Sequence, residues 1–338
     1  MNMISLKNIT VIFLIVSMLI TTVCISSETA YAAEKGKFVL VNLRGNCRSE
    51  EHGKAFTIDW VNSEDETDST RGDRLYVFNM NTGKGKKKLH ECKPGESFVC
   101  QVLTDGTIVY YIVYNEDEKT SQLYSVGIDG KNRTKLKSFS SHRVFLASVY
   151  NNQIYYTKAD PDKYDISHLY SLSLKTGKIY KRQENFTMSI SGHDFEGYST
   201  GRSRYIYGRY GKKYDWHYQI YDCKTKRIIR DLPESFTEPF VLGSYLYYTE
   251  RSYPYGEMRD HLYRSDLNGD NPELIGVVET GYRLLGYYSS SVIYYYDMYK
   301  MTCFKYYVKT GKTVKIPLEQ FKQRPFYDVP GTDLYIMN

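Results

Sequence analysis

The segment Gln153-Ile154-Tyr155-Tyr156-Thr157 is continued after a charged loop by Leu169-Tyr170-Ser171-Leu172-Ser173-Leu174-Lys175-Thr176-Gly177-Lys178. The first part reads as a strand carrying an aromatic doublet, the second as a strand that ends in a tight turn. Thr-Gly and Asp-Gly pairs supply the positive φ that such a turn demands, so residues 169–178 predict two neighbouring antiparallel strands. Adjacent side chains of a strand point to opposite faces, and the Tyr155-Tyr156 doublet therefore makes both faces of its sheet apolar. A sheet apolar on both faces needs a neighbour on each side.

The same pair of signals recurs along the chain. The turn position falls at Gly83, Gly130, Gly177, Lys226, Gly269 and Gly311, in steps of 47, 47, 49, 43 and 42 residues. Second strands lie upstream of five of these turns, at 107–112, 153–157, 204–208, 245–249 and 292–296, with the further doublets Tyr110-Tyr111, Tyr247-Tyr248 and Tyr294-Tyr295. Short innermost strands are expected at 98–102, 144–147, 240–242 and 283–287. One four-stranded propeller blade has this period. A two-sheet sandwich would bury one face per sheet and show cleaner polar alternation. The expected fold class is all-β, a single β-propeller of six or seven four-stranded blades. Partial copies of the second strand at 55–60 and 333–337 set the count: counted as a copy of its own the last gives seven, the number preferred, and as an overlap six. Residues 326–329 and 333–337 lack outer strands of their own, and the N-terminal strand at 38–43 is expected to complete them and close the ring.

Residues 1–32 read as a secretory signal peptide and 33–338 as the propeller domain. Lys7 opens a polar start, residues 11–20 are almost wholly apolar, and Ala30-Tyr31-Ala32 supplies small residues for cleavage. Thr21 and Thr22 cut the apolar run short of the roughly 20 residues a membrane span needs. Val23 before Cys24 argues against lipidation. The expected address is secreted or associated with the cell envelope. The 36 tyrosines and the lack of long Ala/Leu/Glu/Lys stretches favour one β core. A formal charge of +6, from 45 Lys and Arg against 39 Asp and Glu, does not imply nucleic acid. After cleavage the cysteines are Cys47, Cys92, Cys100, Cys223 and Cys303, an odd number that argues against a disulfide framework. A local Cys92–Cys100 bridge is the alternative to buried thiols.

Gln153-Ile154-Tyr155-Tyr156-Thr157 and Leu262-Tyr263-Arg264-Ser265-Asp266-Leu267-Asn268-Gly269 resemble the blade repeats of secreted bacterial propellers related to the LDL-receptor YWTD type, with Tyr where that motif has Trp. The resemblance covers nearly all of the mature chain. It implies a propeller fold and an extracellular binding role, and it brings no catalytic residues.

Motifs that suggest chemistry have simpler readings. Gly197-Tyr198-Ser199-Thr200-Gly201 matches a nucleophile elbow, but a strand follows where a helix is required. His168, His217 and His261 share one repeat position at the start of third strands. Neighbouring blades there stand on the order of 15 Å apart, too far for one metal with ligands near 2 Å, so packing on tyrosine rings is expected. Asp266, Asn268 and Asp270 mimic a calcium loop, yet Val277 stands where that loop needs Glu. Gly311-Lys312-Thr313 lacks the first glycine and the helix of a phosphate loop. No catalytic residue, metal or cofactor is expected.

Charge placement is more informative. Turns between third and fourth strands should form a basic face: Lys84, Lys86, Lys87, Lys88, Lys131, Arg133, Lys135, Lys175, Lys178, Lys224, Lys226, Arg227, Lys309 and Lys312. Loops between second and third strands are acidic in the first three blades: Glu64, Asp65, Glu66, Asp68, Glu116, Asp117, Glu118, Asp160, Asp162 and Asp165. The bland reading is that these charges solvate turns. The functional expectation is a monomeric, non-enzymatic binding module. Its basic face would meet anionic wall polymer or lipid headgroups, and its loop face, with Asp160, Asp162, Asp165, Trp216, Tyr253 and Tyr255, a protein or glycan partner. The alternatives are a structural scaffold of the envelope and a polysaccharide hydrolase or lyase using carboxylates among Asp160, Asp162, Glu250 and Glu257.

Overall fold

The structure is a computed structural model. It describes residues 38–43, 48–49, 52–59, 73–141, 143–160, 166–187, 201–202, 204–212, 215–232, 240–242, 245–253, 255, 259–279, 288–289, 292–297, 302–307 and 309–317. Among these, apart from 3-10 positions at His52 and Tyr255, the regular structure is strand, arranged as one leading strand and six successive four-stranded antiparallel units. The leading strand is β1 (Val39–Asn42). The first unit comprises β2 (Arg48–Ser49), β3 (Lys54–Asp59), β4 (Arg74–Asn79) and β5 (Lys87–Glu91). The second has β6 (Glu96–Thr104), β7 (Ile108–Asn115), β8 (Thr120–Gly127) and β9 (Thr134–Phe139). The third has β10 (Val144–Tyr150), β11 (Gln153–Ala159), β12 (Ser167–Ser173) and β13 (Ile179–Gln183). β14 (Gly201–Arg202), β15 (Tyr205–Lys212), β16 (Asp215–Asp222) and β17 (Arg227–Asp231) form the fourth. β18 (Phe240–Leu242), β19 (Tyr245–Ser252), β20 (Arg259–Asp266) and β21 (Glu273–Glu279) form the fifth. β22 (Tyr288–Ser289), β23 (Val292–Asp297), β24 (Thr302–Tyr307) and β25 (Lys312–Ile316) form the sixth.

Turn chemistry explains the outer hairpins. All six turn positions read from the sequence adopt positive φ, from +59° at Lys226 to +82° at Gly269. Where Thr precedes the turn residue, at Gly83, Gly177, Lys226 and Gly311, its N–H donates to the carbonyl four residues back. Where Asp or Asn precedes it, at Gly130 and Gly269, the bond reaches back three. The residue before glycine thus selects the width of the turn.

The doublets pack as their spacing requires. Tyr110, Tyr111, Tyr155, Tyr156, Tyr247 and Tyr248 are all buried. In the third and fourth units the first residue of the doublet position reaches the next unit: Tyr155 Oη donates to the Cys223 carbonyl at 3.2 Å, and Tyr207 Oη to the Leu267 carbonyl at 2.8 Å. Both acceptors begin the outer turn of the following unit, and the Cys223 N–H is itself tied to the Arg204 carbonyl. In the fourth unit Gly208 stands where the second tyrosine is expected. A Cβ there would lie 2.3 Å from the Phe186 ring, which comes from the end of the third unit and fills the space. Phe186 is fully buried and packs edge-on against Tyr221.

Five of the six outer strand pairs carry a β-bulge. The extra residues are Leu89, Leu136, Arg182, Ile229 and Ile275, separated by 47, 46, 47 and 46 residues. A bulge sharpens twist and spoils an edge as a template for further pairing, which suits the outermost strand of each unit.

Each unit has two ends. The 3–4 turns and 1–2 turns share one, here the turn end, because Met80, Ile128, Leu174 and Cys223 donate to Gly53, Thr107, Asn152 and Arg204. The 2–3 loops share the loop end with the connections between units, as the Glu116 N–H bond to the Gly95 carbonyl shows. The N-terminal strand has two partners among the described residues. β1 pairs along its length with β6 (Val39 opposite Thr104 through Asn42 opposite Gln101) and touches β14 through Val39 opposite Arg202. It joins the second and fourth units into one nine-stranded sheet, and the C-terminal strands it was expected to complete lie outside the described residues. Its apolar side chains decide this, since Phe38, Leu40, Val41 and Leu43 are all buried. The expected C-terminal pair at 326–337 and the signal peptide at 1–32 lie outside the described residues, as does the nucleophile-elbow segment up to residue 200. Cys92, Cys223 and Cys303 are buried free thiols, so Cys92 forms no bridge with Cys100. Burial pushes the Cys92 and Cys223 thiols well up, which leaves them unreactive.

Candidate functional site

The two ends differ in how their charges are used. At the turn end most carboxylates serve the fold. Asp105 accepts from Thr107 and Ile108, Asp129 accepts the Lys131 N–H, and Asp270 pairs with Arg230 of the preceding unit. Asp222, with a side chain 1% exposed, is held by Nε and Nη2 of Arg204, each at 2.7 Å. Burial alone would raise its carboxyl, but the bonds from Arg204, the Lys224 amide and Thr225 outweigh that and hold it below its ordinary value.

The cations at that end are spent less. Lys84, Lys87, Lys131, Lys135, Lys175, Lys178, Lys224, Lys226, Arg227, Lys309 and Lys312 are exposed, and among the described residues none has an ion-pair partner. Two members of the expected basic set are engaged: Lys88 pairs with Glu91, and Lys86 lies over the Tyr76 ring at 4.3 Å. Arg133 is exposed but close enough to His90 to lower its pKa further. The fifth unit is the exception, its turn carrying Asp266 and Asp270.

At the loop end, Glu116, Asp117 and Glu118 form an exposed turn after β7. Tyr253 is 63% exposed, and Tyr255, at φ +56°, is fully so. Asp160 is half-buried, whereas Asp162, Asp165, Glu257, residues 64–68 and the side chain of Trp216 lie outside the described set.

Two of the three matched histidines, His168 and His261, tie residues at the base of these loops. His168 Nε2 lies 3.3 Å from Asp160 Oδ2, and its Nδ1 accepts the Asn185 N–H at 3.1 Å. That amide leaves Nε2 to donate to Asp160. His261 Nε2 lies 3.1 Å from Ser252 Oγ. Asp160 and Ser252 occupy the same place, each two residues past the register partner of its histidine, Lys158 or Glu250. The Ser252–His261 pair thus repeats the position of the Asp160–His168 pair. His217 packs on Tyr210, ring centroids 5.2 Å apart, and His261 stacks on Tyr263. Packing on tyrosine was the expectation, but the Asp160 and Ser252 partners were missed. Asp160 and Ser252 stand eight and nine residues ahead of their histidines, so the match lies in strand register and leaves no common spacing in the sequence. The other described carboxylate of the hydrolase reading, Glu250, accepts a hydrogen bond from Tyr263. The Asp266–Asp270 segment is a hairpin turn, with Asn271 bonded to Asp266, and Lys312 opens a strand where a phosphate loop would need a helix.

No family model and no curated protein sequence matches the chain. Solved structures do. A post-proline cleaving enzyme from Rickettsia typhi is similar with a TM-score of 0.52 at 11% identity, over 85% of this chain and 46% of that one. The β-propeller domain of the Trilobed protease from Pyrococcus furiosus gives 0.39 at 13%, over 62% and 68%. Oligogalacturonate lyase from Vibrio parahaemolyticus gives 0.47 at 11%, over 83% and 79%. At such identities the first likeness is one of fold alone, and the two below 0.5 add nothing to it. The neighbours include β-propeller proteins, the class expected from the repeats, and no activity passes from any of them to this chain.

Proposed function

We propose that residues 33–338 are an exported, non-enzymatic β-propeller of at least six blades, the six described units, which binds a protein or glycan partner with its loop end. The observation that carries this reading is the use of side chains at that end. Asp160 and Glu250 are engaged by His168 and Tyr263 within their own units, while Tyr253 and Tyr255 are held out in solvent. An exposed tyrosine on a rigid scaffold offers a large amphipathic contact area at low entropic cost. The clasping of successive units by Tyr155 and Tyr207 supports the propeller geometry, and the apolar run before Ala30-Tyr31-Ala32 supports export.

The test is binding to cell-envelope fragments together with an assay for new reducing or unsaturated sugar ends. The expected result is retention that falls at least tenfold in Tyr253→Ala/Tyr255→Ala, with no sugar ends released. Release of ends that stops in Asp160→Asn or Glu250→Gln would replace this reading with the hydrolase or lyase.

A further inference from the structure

We infer that the turn end is a docking surface for an anionic lipid bilayer, so that the protein sits on the membrane with its loop end outward. Such docking rests on the proposed export, which cell fractionation tests independently of vesicle binding.

Three observations converge. The first is direction. β6 runs from the loop end to the turn end, finishing at Thr104 before the 1–2 turn, and β1 is antiparallel to it with Val39 opposite Thr104. β1 therefore starts at the turn end, and the 37 residues before Phe38 join the molecule there. Those residues include the apolar run at 11–20 and then Lys35 and Lys37, so the end that first follows the leader out of a bilayer is the turn end.

The second is charge. Unpaired cations stand on the turns of the first, second, third, fourth and sixth units, while most carboxylates among them are engaged by the fold. Cations dispersed over five turns suit a continuous field of negative charge better than a single compact anion, which would reach few of them. The third is the chemistry beside the cations. Ile179 and Tyr180 are exposed at the turn-proximal start of β13, between Lys178 and Lys181, and Leu274 is exposed at the equivalent start of β21. Aliphatic and tyrosine side chains flanked by lysine suit a headgroup interface, where the ring and stem meet the acyl boundary and the charge stays in water.

The experiment is co-sedimentation of the protein, in the form the cell exports, with phosphatidylcholine vesicles with and without phosphatidylglycerol. Binding is expected only with the anionic lipid and is expected to vanish by about 1 M salt, where charges are screened within about 3 Å. Lys131→Glu, Lys175→Glu and Lys224→Glu combined should weaken partitioning by about 100-fold, as each basic residue at such a surface contributes about fivefold. All three are exposed and unpaired, and circular dichroism checks that the variant is folded. Tyr253→Ala/Tyr255→Ala, at the other end, should bind vesicles as the parent does. Equal binding to both vesicle types, or loss in the tyrosine variant instead, overturns the inference. So does tight, salt-sensitive binding to soluble polyphosphate without any to vesicles, which would assign the surface to a polymer.

Discussion

His90 shows how a single side chain can set pH dependence in this fold. It lies inside the seam between the first two units, edge-on to Phe98, Tyr111 and Tyr124, with Nδ1 2.8 Å from the Tyr111 hydroxyl. Burial, helped by the charge of Arg133, pushes it down from 6.5 to about 4. The folded value is below the ordinary one, so protons favour the unfolded chain: stability is complete above about pH 6.5 and falls until about pH 4. A depression of that size corresponds to about 3 kcal/mol. His90→Leu should flatten that part of a urea-denaturation pH profile while costing about 1–3 kcal/mol at pH 7, since the Tyr111 hydroxyl loses its partner. A profile as steep in the variant as in the parent would remove His90 as the cause. Gly208 is the second such position. Gly208→Ala should cost about 1–3 kcal/mol by overpacking, and Phe186→Ala about 3–5 kcal/mol. The double variant should be more stable than the two costs added, by the cycle's coupling. The tyrosine doublets were legible from sequence because their signal is local. Gly208 broke the pattern, and its replacement ring comes from Phe186, 22 positions earlier, which no local rule selects.

At the level of strands and turns, the outer hairpins were readable to the residue, because positive φ leaves a chemical mark. All six positions carry it, even Lys226, where a lysine holds the glycine conformation. The bulges were not readable in the same way. A bulge needs only one extra residue, and the mark it leaves here is an aliphatic recurring every 46 or 47 positions, which Arg182 interrupts. Arg182 compensates by donating to Ser171 and Gln153, both at 2.7 Å. The hydroxyl contacts between units give the clearest test at this level. Tyr155→Phe and Tyr207→Phe should each cost about 1 kcal/mol, because each strips one buried carbonyl of its donor. Thermal unfolding measures this, and Tyr180→Phe, on an exposed strand, serves as the neutral comparison.

For the molecule as a whole, the loop-end carboxylates could be placed from sequence but their engagement could not. The bonds of Asp160 and Glu250 depend on cross-strand register, which one misplaced residue would reverse. The partner of β1 was likewise out of reach, since an apolar strand at the N-terminus can complete any sheet with a free edge. Its burial makes a strong prediction. Val41→Asp, placing a charge at a site 2% exposed, should cost more than 3 kcal/mol, and it should lower hydrogen-exchange protection in β6 and β14 together. Loss confined to β6 would mean that the two units are not braced through this strand.

The same strand ties assembly to the order of synthesis. β1 leaves the ribosome first, yet its partners follow about 65 residues later at Thr104 and about 160 later at Arg202. It must wait, apolar and unclaimed, until the second unit begins with β6, and its contact with β14 comes only as the fourth unit begins. Nascent chains that are stalled before residue 101 should therefore keep this segment open to proteases and chaperones, and its full protection should arrive only after residue 202, when β14 closes its other edge.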